Sequence, residues 1–182
     1  MTPETHQQFL ALYKPLHERF TRYCGSNAYG LMETEDLVQE TILATLQQFS
    51  RINDKNKLLP YMIGTANNIV KNVLRRQKFK GAFDENAFKK IEGKVGDPEV
   101  ALDVHYLYKA LNQLPLKDKE AIILFEINGF SIREISEMQQ SNEGATKTRL
   151  SRARQKLREL LSEEHPRVNS YPKTQVLFSI FL

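Results

Sequence analysis

Between Ser131 and Leu161 the chain carries side chains of the types and spacing that can read DNA. Ser131 with Glu134 three residues later forms a reciprocal capping box, in which each side chain satisfies a backbone N–H left open at a helix start. Gly129 stands where the preceding helix must stop, since glycine takes the left-handed conformation at little cost. Ile132, Ile135 and Met138 then give an apolar stripe, Gln139-Gln140-Ser141 interrupts it, and Asn142 offers a second N-cap side chain. In the helix that follows, Thr146, Leu150, Ala153, Leu157 and Leu160/Leu161 recur at helical spacing and predict a buried face. Gly144, Lys147, Thr148, Ser151 and Arg152 fall opposite, with Arg149, Arg154, Lys156 and Arg158 on the flanks and last turns. Such a helix can lie in a major groove, reading base edges near its N-terminus while cations farther along hold phosphates. The plain alternative is a helical hairpin whose basic face meets only water.

A second concentration of charge lies upstream. Tyr61 to Phe83 holds Lys71, Arg75, Arg76, Lys78 and Lys80 with no acid, whereas Glu33, Glu35, Asp36 and Glu40 gather on an earlier segment. The net charge is only +4 over 182 residues, so placement matters more than the sum, and segregation of this kind predicts separate partners for separate surfaces. A single cysteine, Cys24, excludes an internal disulfide, makes a thiolate metal site unfavourable and fits a reducing compartment. His6, His17, His105 and His165 are scattered, with none at metal-ligand spacing from another, so neither metal nor cofactor is expected. Glycine-rich phosphate loops, carboxylate clusters with a base and nucleophiles with a partner histidine are all missing, which argues against an enzyme. The N-terminus lacks the apolar core of a signal peptide and no stretch reaches bilayer-spanning length, so a cytoplasmic protein without membrane insertion is expected.

The elements that must position these residues read as helices throughout. Phe9 to Cys24 predicts one amphipathic helix, with Phe9, Leu12/Tyr13, Leu16 and Phe20 on one side. Thr34 is expected to cap the next, whose buried stripe is Leu37, Val38, Thr41, Ile42, Thr45 and Leu46 while Asp36, Gln39 and Glu40 face outward. Pro60 lies in the first turn of a third helix, with Tyr61, Thr65, Ile69, Val73 and Leu74 as its apolar side. Leu107, Leu111 and Leu114 mark a helix stopped at Pro115, and Ile122, Ile123 and Ile127 mark the one before the helix-turn-helix. The fold class is therefore all-α, with two small helical domains joined by a linker, the C-terminal one a helix-turn-helix. The domains fall at residues 1–80 and 101–161, with a glycine-containing linker at 81–100 and a tail at 162–182 that ends in the apolar run Val176 to Leu182.

Taken together, three segments resemble the extracytoplasmic-function group of bacterial RNA polymerase sigma factors, in the sigma-70 family. They are Glu35-Asp36-Leu37-Val38-Gln39-Glu40-Thr41, then Leu59 through Asn68 continuing to Leu74-Arg75-Arg76, then Leu114-Pro115 with Gly129 to Ile135 and Gly144 to Arg154. The resemblance spans about Phe9 to Leu161 and implies a promoter-specific initiation factor whose partners are core RNA polymerase, through the largest-subunit clamp and the flap, and promoter DNA. It implies an anti-sigma factor as well. Position by position, Asp36, Gln39 and Glu40 would face the polymerase. Asn68, with the loop from Ser50 to Lys57, would hold a base flipped out of the minus-ten element, and Lys71, Asn72, Arg75 and Arg76 would line that DNA. Asn142, Gly144, Lys147, Thr148, Ser151, Arg152 and Arg154 would contact the minus-thirty-five element. A pocket that catches an extruded base offsets lost stacking by contacts to its polar edge.

The chain departs from the family pattern at a few places. Leu46 and Tyr61 stand where tryptophan is usual, and Asn72 replaces an aspartate. Gln140, Ser141 and Thr146 replace a glycine and two apolar residues around the recognition turn, which bears on the turn's geometry. A stand-alone regulator using the same helix-turn-helix is the rival reading, but it leaves the acidic Asp36 helix and the basic Asn68 helix without a purpose.

Overall fold

A computed structural model describes residues 3–77 and 98–164, which form helices and turns with no strand among them. They fall into two compact units, one within Met1–Asp84 and the other within Glu85–Leu182. Lys78 and Lys80, the linker up to residue 97 and the tail from residue 165 lie outside the described residues.

The N-terminal unit comprises α1 (Pro3–Tyr13), a 3-10 turn (Lys14–Leu16), α2 (His17–Ala28), α3 (Thr34–Gln48) and α4 (Leu58–Gln77). The single helix expected over Phe9 to Cys24 is two helices, because Pro15 has no N–H to donate and its ring crowds the carbonyl one turn back. Phe9, Tyr13 and Phe20 nonetheless all reach the core. Phe9 stacks on Tyr13 with ring centroids 5.6 Å apart and meets the edge of Phe49 at 5.4 Å, pairings worth about 0.5–1.5 kcal/mol each beyond burial. Burial pushes the Cys24 thiol up to about 12, so it serves as a small apolar residue.

Helix α3 buries Leu37, Val38, Thr41 and Thr45 as expected, with Ile42 and Leu46 half-buried. Its cap is different: Glu33, in extended backbone, occupies the N-cap position without a side-chain capping bond, and Thr34 is already helical. Helix α4 is turned relative to expectation. Its buried row is Leu58, Leu59, Met62, Ile63, Ala66 and Val70, whereas Tyr61 is 38% exposed and Thr65, Ile69, Val73 and Leu74 are half-buried. Both rows are apolar at helical spacing, and the one that packs on α2 and α3 is the one that fills the core.

The C-terminal unit comprises α5 (Pro98–Gln113), α6 (Leu116–Ile122), a π-helical turn (Ile123–Ile127), α7 (Ile132–Met138) and α8 (Glu143–Glu164). Helix α5 starts three residues before the expected domain boundary, since the fixed φ of Pro98 suits a first helical turn. Helix α8 likewise continues past Leu161 to Glu164. It packs on α5, α6 and α7, closing a core of Leu107, Leu111, Ile123, Leu124, Ile135 and Leu150 among others. At the end of the π turn the Asn128 N–H reaches back to the Ile123 carbonyl, and Gly129, at φ +63°, lets the chain reverse into α7.

One cation lies in this core. Lys119 is 4% exposed, its ammonium donates to Asn112 Oδ1 at 2.7 Å, and burial pushes its pKa down to about 8 from 10.5. Between pH 8 and 10.5 the unfolded chain therefore binds the proton that the folded chain has lost, so stability of this unit rises with pH across that window. Below pH 8 both states are protonated and the desolvation cost is at its maximum. Lys119→Met should stabilise the unit at pH 7 on the order of 2 kcal/mol and remove this rise. Hydrogen exchange of core amides in residues 104–160, followed from pH 7 to 10, measures both effects; a wild-type profile that stays flat counts against a strained ammonium.

Candidate polymerase and nucleic-acid interfaces

In the N-terminal unit, burial of Leu37, Val38, Thr41 and Thr45 leaves the opposite face of α3 to solvent. Asp36, Gln39 and Glu40 are all exposed there, one turn apart. Leu43, 60% exposed, continues the same line one turn beyond Gln39 and Glu40. It was missed from the sequence, where its spacing from Gln39 was the available signal. An exposed leucine beside carboxylates and an amide is the composition of a protein contact rather than a DNA contact.

The face that α4 presents is fixed from inside. The Tyr23 hydroxyl donates to Asn67 Oδ1 at 2.5 Å, both residues being buried, so Asn67 points inward and its neighbour Asn68 outward. Lys57, Tyr61, Gly64, Asn68, Lys71, Asn72, Arg75 and Arg76 are all exposed on this helix and its approach. Helix α4 contains no acid, so cations stand along this surface without an opposing charge on their own helix. A surface of this kind holds a phosphate backbone.

Between α3 and α4 the segment 49–57 is built by side chains. The Lys55 ammonium donates to the carbonyls of Phe49 and Ile52 and sits 4.0 Å from the Phe49 ring centroid. The Asp54 carboxylate accepts from the Asn56 N–H at 3.0 Å, capping the short turn Lys55–Lys57. Lys55 thus ties together two carbonyls just beyond the end of α3, and the segment is anchored through Phe49 to the aromatic core.

In the C-terminal unit both caps read from the sequence are present. Ser131 and Glu134 form the full capping box, and Asn142 Oδ1 accepts from the Ala145 N–H at 2.7 Å. An added Cβ at Gly144 would come within 3.4 Å of that capping oxygen. Thr146, Leu150, Ala153, Leu157 and Leu160 are buried, and Gly144, Lys147, Thr148, Ser151 and Arg152 are exposed together with Asn142. The Thr148 hydroxyl donates to the Gly144 carbonyl at 3.0 Å, which sets its methyl and oxygen relative to the helix.

Two arginines flanking that face are engaged within the unit. Arg149 donates to Gln139 Oε1 at 2.6 Å and lies 3.5 Å from Asp118, while Gln139 donates to the Lys117 carbonyl and to Glu120. This network ties the end of α7 and the start of α6 to α8. Arg154, grouped from the sequence with the DNA contacts, instead donates through Nε and one terminal nitrogen to Glu126 at 2.9 and 2.7 Å and lies over Phe125. Neither contact was legible in the sequence, because Glu126 and Arg154 are 28 residues apart.

Comparison with known proteins agrees with this geometry. Residues 9–80 match the family Sigma-70 region 2, and residues 105–157 match Sigma-70, region 4. The RNA polymerase sigma factor CarQ of Myxococcus xanthus is 31% identical over 131 residues, covering 71% of this chain and 75% of the relative. The ECF RNA polymerase sigma factor SigX of Bacillus subtilis is 26% identical over 169 residues, 87% of either chain. A chain of the co-crystal structure of the sigma factor RpoE with the anti-sigma factor NepR from Bartonella quintana shares the fold, with a TM-score of 0.61 at 22% identity, over 90% of this chain and 100% of that one.

The recognition turn is where the sequence departed from the family pattern, and its geometry is kept by other means. Gln140 takes the left-handed conformation at φ +51°, at a cost of about 1 kcal/mol that glycine would avoid. The Ser141 and Thr146 hydroxyls, in place of two apolar groups, lie 2.9 Å apart, with Thr146 fully buried. Each hydroxyl satisfies the other, so removing one strands its partner. Ser141→Ala or Thr146→Val alone should cost about 1–2 kcal/mol, and the double variant less than the sum of the two. Urea unfolding of the four proteins provides the cycle; additive losses would mean that the pair is not coupled.

Proposed function

The chain belongs to the extracytoplasmic-function group of RNA polymerase sigma factors in the sigma-70 family, and from that membership we propose how its two units divide the work. The N-terminal unit docks on the clamp of core polymerase through Asp36, Gln39 and Glu40, with Leu43 as the apolar centre of the contact. Helix α4 engages the minus-ten element: Asn68 and the segment 50–57 receive an extruded base, and Lys71, Asn72, Arg75 and Arg76 line the opened strand. The outward face of α8, from Asn142 and Gly144 through Lys147, Thr148, Ser151 and Arg152, reads the minus-thirty-five element, and the C-terminal unit meets the polymerase flap. Arg154 holds α8 in place through Nε and one terminal nitrogen on Glu126, and its remaining terminal nitrogen, on a side chain 41% exposed, is the part that reaches a phosphate.

The observation that carries this reading is the separation of charge on adjacent helices. Helix α3 exposes carboxylates, amides and a leucine, while α4, packed against it, exposes amides, an aromatic, a glycine and cations but no acid. A protein partner and a polyanion can then be bound at once without competing. The factor acts without catalytic chemistry of its own, in the cytoplasm with the polymerase, and an anti-sigma factor restrains it. The last point is supported by likeness to the chain found in complex with NepR.

Mixing the purified chain with core polymerase and a genomic promoter pool should give transcripts that depend on it, with start sites sharing a pair of upstream elements. No dependent transcript would overturn the proposal. Charge reversal in the Asp36→Lys, Glu40→Lys double variant should weaken core binding by about 2–5 kcal/mol, as expected when carboxylates lose desolvated cationic partners. Co-purification with core at wild-type strength would remove those residues from the interface. Substituting Lys147 or Thr148 by alanine should alter which upstream bases are selected, by about 1–3 kcal/mol per lost contact. Selection from randomised upstream elements tests this, and recovery of the wild-type sequence would move the reading helix elsewhere.

A further inference from the structure

Gly64 is the seventh residue of the twenty in α4, and nothing among the described residues packs where its side chain would be. A Cβ built there would meet no atom within 4 Å, and the backbone has none of the positive φ that demands glycine. A glycine inside a helix is less favourable than alanine, because it loses more backbone freedom on folding. The position therefore carries a cost that no packing among the described residues offsets.

Its neighbours on the helix face suggest what does. Gly64 is exposed, one turn after Tyr61 and one turn before Asn68. At 1.5 Å per residue those two side chains stand about 10 Å apart along the axis, with bare backbone between them. Tyr61 is 38% exposed although aromatic. The Thr65 hydroxyl, next along the helix, is turned back to the Tyr61 carbonyl at 3.0 Å. Lys57 on one side and Lys71 and Arg75 on the other continue the same exposed line with positive charge.

We propose that Gly64 forms a slot on α4 for an unpaired nucleobase, which lies against the helix backbone between the Tyr61 ring and the Asn68 amide. The aromatic face supplies sequence-tolerant stacking and the amide supplies hydrogen bonds to a base edge, while the cations on either side hold the flanking phosphates. A side chain at position 64 would fill the slot. This inference rests on α4 being the minus-ten face, and it adds a constraint of shape to the contacts assigned there.

The slot makes stability and activity move in opposite directions. In Gly64→Ala the melting temperature of the free protein should rise by about 4 °C, the direction that filling an open helical position with a better helix former requires. Reconstituted with core polymerase, the same variant should bind a single-stranded oligonucleotide of the nontemplate minus-ten region about tenfold more weakly, the scale of one lost base stack. It should also slow promoter opening, read by permanganate reactivity of unpaired thymines, and Gly64→Gln should slow it further. Wild-type oligonucleotide binding and opening in both variants would overturn the slot, as would a fall in the melting temperature of Gly64→Ala. Asn68→Ala and Lys71→Ala, measured in parallel, separate the two levels of the argument. If they weaken the oligonucleotide and Gly64→Ala does not, α4 is the DNA face without a slot; if none of the three does, the assignment of α4 itself fails.

Discussion

Asn67 and Asn68 are chemically identical neighbours set about 100° apart around α4, and a hydrogen bond decides which of them faces solvent. The Tyr23 hydroxyl takes Asn67 inward, and the row of Leu59, Met62, Ile63, Ala66 and Val70 turns the same way. That rotation places Tyr61, Gly64, Asn68, Lys71 and Arg75 in one exposed line. Had the helix settled on its other apolar row, Tyr61 would be in the core and the line of cations would be rotated off it. A buried amide that must find a partner is a strong constraint on rotation, because leaving it unpaired costs about 1–3 kcal/mol, whereas apolar contacts are non-directional.

The C-terminal unit solves the same problem of orientation with a polar network. The direction of α8 is set by Arg149 against Gln139 and Asp118, by Arg154 against Glu126, and by the hydroxyl pair in the turn. These contacts link α8 to α6, to α7 and to the π-helical turn, and so hold the outward face proposed to read DNA. The arrangement suits what such a helix would have to do. Side chains that reach bases cannot also pack, so the helix has to be aimed by residues on its flanks and inner side.

Cations are used in three physical settings in this chain. Lys71, Arg75, Lys147 and Arg152 are exposed, as the proposed DNA contacts need. Lys55, Arg149 and Arg154 direct their N–H donors at carbonyls, an amide and carboxylates of the same chain, where they build shape. Lys119 is buried with its pKa pushed down to about 8, and its charge is a burden on the fold. A count of basic residues would merge these classes, which only their surroundings distinguish.

Local chemistry was legible in the sequence at the helix caps of the C-terminal unit. Capping side chains act within four residues, so Ser131 with Glu134 and Asn142 announced the ends of α7 and α8 without tertiary information. The inner face of α8 and the outward Asp36, Gln39 and Glu40 of α3 were equally clear, because each helix has a single apolar stripe. The family, too, followed from motif order along the chain. What the sequence left open was decided wherever two local solutions were nearly equal or the partner was distant. Helix α4 has apolar side chains around more than half its circumference, so packing against α2 and α3 chose its face. The engagement of Arg154 by Glu126, the burial of Lys119 and the left-handed Gln140 depend on groups brought together only when the helices pack, and no periodicity along the chain encodes that meeting.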